Sequence, residues 1–119
     1  MKKSQIQTKM DDVLDIAREF ESIWYLDLEN NIQLNSIRSD MKEEKIKDIW
    51  NNLKKINEVA LNLALINENN TYNHIIIKIS EKIFFILTED SKILALSASG
   101  DLRSTISLLE LRKLLYKLI

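Results

Sequence analysis

This chain has few residues of the kinds that perform chemistry, and those it has are badly spaced for it. There is one histidine, His74, and no cysteine among 119 residues. Thiolate metal sites and disulfides are therefore excluded, and a His-based metal centre or triad lacks a second imidazole. His74 alone reads as a surface or interface residue. The adjacent carboxylates Glu89 and Asp90 invite a general acid–base reading, but they fall in a polar break between two apolar runs, where solvated turn residues are expected. Ser99-Gly100-Asp101 is the one stretch resembling a phosphate loop. It lacks the Gly-x-x-x-x-Gly-Lys spacing that turns backbone amides into a cradle, so a simple turn is expected there. Trp24 and Tyr25 are aromatic neighbours suited to a ligand, yet adjacent residues of a strand face opposite ways and cannot form one cage. Core packing is the expectation for both. No catalytic residue, cofactor site or metal site follows from residue types, and function has to be sought in architecture.

The elements that would position these residues are organised around 72–98. Three runs dense in isoleucine, leucine and phenylalanine (74–80, 83–88 and 93–98) are separated by Glu81-Lys82 and by Glu89-Asp90-Ser91-Lys92. β-Branched and aromatic runs of this length between turn-like clusters predict antiparallel strands joined by hairpins. In Ile75-Ile76-Ile77 and Phe84-Phe85-Ile86-Leu87 successive side chains alternate faces, so both faces of the sheet are apolar and need covering. Upstream, Ile6, Met10, Val13, Leu14, Ala17 and Phe20 recur at three and four residues and predict a helix over 4–21. Over 22–38 the period becomes two, with Trp24, Leu26 and Leu28 before Glu29-Asn30-Asn31 and Ile32 and Leu34 after it. That pattern is a hairpin with an asparagine turn.

Asp40 with Glu43 makes a capping box, and Ile46, Ile49, Trp50, Leu53, Ile56, Ala60, Leu63 and Ala64 trace a long helix to about residue 66. Its outer face runs through Lys47, Asn51, Lys54 and Glu58. Near its end Val59, Leu61, Leu65 and Ile66 widen the apolar surface, which points to burial on a second side by another chain. A last helix follows Gly100, with Leu108, Leu111, Leu115 and Leu118 on one stripe and Leu102, Ile106 and Leu109 on another. A kink or late start near Ser107 is expected.

Composition bounds the rest. With 45% hydrophobic and 29% charged residues, residues 1–119 are expected to form a single globular domain with one core. Lys and Arg number 17 against 18 Asp and Glu, a net charge of -1, which argues against nucleic acid held by bulk phosphate attraction. The N-terminal segment is interrupted by Asp11, Asp12 and Asp15, and no apolar run approaches the ~20 residues that span a bilayer. A soluble, cytoplasmic protein without membrane insertion is expected. One glycine and no proline mean that turns have to be built from Asn, Asp and Ser.

The order helix, hairpin, long helix, three-stranded meander, helix resembles the roadblock family, the dynein light-chain and GTPase-associated domain. Trp24 to Leu34 is similar to that family's first hairpin, with Asp27 ending an apolar strand and Asn30 or Asn31 in place of the usual turn glycine. The family's Gly and Arg at the start of the last helix are not matched by Leu102-Arg103-Ser104-Thr105, and longin and profilin domains share the topology. The resemblance implies an α+β fold of the order α-β-β-α-β-β-β-α, a five-stranded antiparallel sheet with helices on both faces. It further implies a noncatalytic homodimer, or heterodimer with a related domain, pairing through the long helices and the edges of the third strands, and docking a Ras-like small GTPase. On this chain the pairing surface falls on Trp50, Val59, Leu61, His74, Ile76 and Lys78, with no cofactor. The alternatives are another longin- or profilin-like interaction domain, or a small-ligand sensor of the PAS or GAF kind, which needs a cavity within one subunit; the bulky run Phe84 to Leu87 predicts a filled core instead.

Overall fold

A computed structural model describes residues 3–16, 20–66, 72–89, 91–99 and 113. In chain order they form α1 (Lys3–Ile16), β1 (Phe20–Asp27), β2 (Ile32–Ile37), α2 (Glu43–Ile66), β3 (Tyr72–Ile79), β4 (Lys82–Glu89) and β5 (Lys92–Ser99). The five strands make one sheet in the order β2-β1-β5-β4-β3, and every pairing is antiparallel. The fold is α+β, as the periodicities predict. The expected last helix, with its kink near Ser107, lies outside the described residues.

Strand alternation divides the core in two. On one face Ile23 and Tyr25 of β1, Leu94 and Leu96 of β5 and Phe85 and Leu87 of β4 pack with Ile6, Met10 and Leu14 of α1. On the other, Trp24, Leu26, Ile93, Ala95 and Ile86 pack with Trp50 and Leu53 of α2. Trp24 and Tyr25 are thus both core residues on opposite faces, as alternation requires. Burying one such side chain contributes about 1.5–3 kcal/mol. The two layers therefore bury most of what makes the sheet apolar.

α1 is held by polar contacts at its margins. Gln7 Nε2 donates to the Asn35 carbonyl at 2.9 Å and Ser36 Oγ to Asp11 Oδ1 at 2.6 Å, which set α1 over β2. Arg38 donates through Nε to the Phe20 carbonyl at 3.0 Å and through Nη2 to the Leu14 carbonyl. A cation at the last turn of α1 satisfies a carbonyl that the helix itself cannot.

Three expectations shift. Phe20 does not continue the stripe of α1; it opens β1 and is buried there, so the helix is shorter than its apolar period suggested. The first bond of α2 is Ile46 N to Lys42 O at 3.1 Å, which makes Lys42 the cap and leaves Asp40 outside the helix. Leu63, assigned to the inward stripe, is 55% exposed. The turns are built as composition demanded: Asn31 and Ser80 take left-handed backbone (φ 53° and 52°), where glycine is the usual residue.

Candidate functional site

β3 is an edge strand, bonded among the described residues to β4 alone, and its register determines which groups face outward. Ile79 and Lys82 are opposite one another across the two-residue loop Ser80-Glu81. A pair in that position exchanges both of its hydrogen bonds, because the alternative pattern would require bonds within the loop. Alternation then turns the N–H and C=O groups of Ile77 and Ile75 toward Phe84 and Ile86, and those of His74, Ile76 and Lys78 away from the sheet. The side chains follow the same parity. Ile75 and Ile77 pack under α2, whereas His74, Ile76 and Lys78 lie exposed on the face that carries α1, with Ile76 57% exposed. Their cross-strand partners Leu87, Phe85 and Ile83 are buried.

The residues expected on α2 do not form one surface. Trp50 is buried, its ring edge-on to Trp24 with centroids 5.0 Å apart and planes at 81°. It belongs to the protein's own core and presents no surface to a partner. Val59 is 58% exposed and Leu61 half-buried. Two residues apart on a helix of 3.6 residues per turn, they point about 160° apart. Leu61 lies about three turns on from Trp50 and shares its side. Val59 and Leu63 continue the flank of Ile56, which adjoins Ile77 of β3 across a shared cavity. Of the apolar residues near the end of α2, Val59 and Leu63 are exposed on one side and Leu61 is half-buried on the other.

That cavity, of about 510 Å³, lies between α2 and one end of the sheet. Ile49, Leu53 and Ile56 of α2 wall it; Ile37, Ile77, Phe84 and Ile86 of the sheet floor it. Ser22 and Ser97, cross-strand partners on β1 and β5, add two hydroxyls. Their Oγ atoms share a hydrogen bond, and Trp24 Nε1 donates to Ser22 Oγ at 2.7 Å. At the rim Lys82 pairs with Glu21 at 2.7 Å, and Lys45 and Lys55 of α2 flank the opening. The space runs against the filled core predicted from Phe84 to Leu87: those side chains are bulky, but α2 lies over this end of the sheet without packing down onto it. The only signal in the sequence was the small, polar Ser22 and Ser97 within strands of large apolar residues.

The remaining candidates are placed as follows. Glu89 is half-buried, and its Oε2 is withdrawn from solvent with no hydrogen-bond partner among the described residues, unlike the solvated turn residue expected; Asp90, Gly100 and Asp101 lie outside the described residues. Among the described residues no three His, Cys, Asp or Glu side chains gather as a metal site. No described helix is long and apolar enough to cross a membrane. Asp27 is buried and fixes the first turn, accepting from Asn30 N at 3.2 Å and from Asn30 Nδ2 at 2.8 Å. Burial, and to a smaller degree the Asp27 charge, pushes the Tyr25 phenol up from 10.0 to about 12. No protein-family model matches the chain, and no curated protein matches it in sequence.

Proposed function

We propose that the protein is a noncatalytic pairing and scaffold module of roadblock type, acting in the cytoplasm, in which two copies join through β3 and the Val59–Leu63 flank of α2 and the pair docks a Ras-like small GTPase. The observation that carries the pairing is the outer edge of β3, where, among the described residues, no further strand pairs and Ile76 and Lys78 turn their backbone groups away from β4, with the Ile76 side chain exposed. An unprotected edge with an apolar side chain is a template for another strand, and folded proteins normally cover or charge it. Antiparallel pairing with its own copy about a twofold axis satisfies the backbone row and covers Ile76 twice over. Lys78 fits such an edge, since it keeps unrelated strands away while its long stem packs along the joint. The GTPase is implied by the family resemblance. Light scattering together with titration against Ras-like GTPases loaded with GDP or a nonhydrolysable GTP analogue tests both halves. A dimer that binds one nucleotide state more tightly is expected; a monomer at micromolar concentration removes the pairing, and a dimer indifferent to every GTPase removes the docking.

A further inference from the structure

We propose that the cavity between α2 and the sheet is a binding site for a small amphipathic anion, a molecule with an aliphatic body and a carboxylate head. This inference is independent of the pairing reading, since the cavity is built within one chain. Its volume of about 510 Å³ lies in the range of ~300–1,000 Å³ typical of small-molecule sites. The walls select an apolar body: Ile49, Leu53 and Ile56 face Ile77, Phe84 and Ile86 across the space, and none offers a polar atom.

Two features select the head group. The first is the serine pair, both members at least nine-tenths buried (2% and 4% exposed) and both lining the cavity. An indole N–H can only donate, so Trp24 uses an acceptor site on Ser22. One of the two hydroxyl hydrogens lies between the serine oxygens. Whichever way that bond runs, the other has no acceptor among the described residues. A buried donor without a partner is unfavourable, and a ligand oxygen in the cavity would supply what it lacks. The second feature is charge. Glu21 at the rim is neutralised by Lys82, whereas Lys45 and Lys55 have no ion-pair partner among the described residues, so the opening is positive. An anion is attracted there and a cation repelled.

The test is calorimetric titration of the whole chain with decanoate, decan-1-ol and decyltrimethylammonium, each below its micellar concentration, with amide chemical shifts used to locate the bound molecule. Saturable one-to-one binding of decanoate is expected, tighter than that of the alcohol and far tighter than that of the cation, with shifts centred on Ser22, Ile77, Phe84 and Ser97. The double variant Lys45→Gln/Lys55→Gln changes only exposed side chains; it is expected to weaken decanoate about tenfold while leaving the alcohol unchanged. Ile56→Trp, which fills the space, is expected to abolish binding of both, and if that variant fails to fold the lysine pair still decides. Absence of saturable decanoate binding, equal binding of the cation, or shifts confined to the β3 edge would overturn the assignment.

Discussion

At the scale of single residues the protein carries polar groups inside its core that residue type alone does not reveal. Thr88 is 1% exposed and its hydroxyl has no partner among the described residues; Asn57, also buried, has an Oδ1 likewise unpartnered among them. A buried polar atom left unsatisfied costs about 1–3 kcal/mol. Thr88→Val keeps the β-branched shape and removes the orphan hydroxyl, so it is expected to stabilise the fold by about 1 kcal/mol, read as a higher urea midpoint at unchanged slope. Tyr25 gives a second residue-level expectation. Its folded pKa of about 12 lies above the ordinary 10.0, so the native state holds the phenolic proton more tightly than the unfolded chain does. The contribution to stability is complete below about pH 10 and is lost as pH rises through the folded pKa. Ultraviolet titration of phenolate should therefore show one of the three tyrosines ionising late, with urea stability falling over the same window; Tyr25→Phe should remove both effects. Asp27 was legible as the end of a strand, but its bonds to Asn30 were not, because they depend on how the turn closes.

At the scale of elements the two hairpin turns differ in how well their residues suit them. Asn31 and Ser80 both have positive φ, and asparagine enters that region more cheaply than serine. Ser80→Gly is accordingly expected to stabilise the protein by about 1 kcal/mol, and Asn31→Gly by less, when thermal midpoints are compared. In β3 the alternation assigns the two middle isoleucines different tasks. Proline at Ile77 deletes a bond to β4 and should destabilise the domain by about 3 kcal/mol or more, whereas proline at Ile76 removes only an outward N–H, a substitution that edge strands accept. Circular dichroism should therefore find Ile76→Pro folded and Ile77→Pro substantially unfolded; the reverse ranking would mean that the register is shifted by one residue. The strands and the long helix this depends on were readable to within a residue or two from periods of two and 3.6, since period reports directly which faces are buried. The end of α1 was not, because Phe20 fits the helical period by coincidence and strand pairing with Ala98 decides its conformation. Nor was the start of α2, where Asp40 and Glu43 match a capping pattern that the chain's path out of β2 does not use.

At the scale of the whole molecule the sequence showed that both sheet faces are covered, but not how completely. The cavity lies where α2 and the sheet stand apart, a property that no run of residues encodes locally. The exposed flank of α2 has a similar origin: Val59, Leu61 and Leu63 are equally apolar, and only the crossing decides which of them remains outside. These exposed groups lead to the last prediction. If pairing buries Ile76, Val59 and Leu63, folding is coupled to association, and stability has to rise with protein concentration by mass action. The urea midpoint of the native chain should then increase over a hundredfold range of concentration, where a monomer's would not change. Ile76→Lys places a charge on the edge without removing any bond to β4, so it should abolish that dependence while leaving the domain folded. Leu63→Glu should weaken the dependence in the same direction, and Leu61→Glu, on the opposite flank, should not act through association. A midpoint independent of concentration in the native chain would show that β3 does not pair with its own copy in solution.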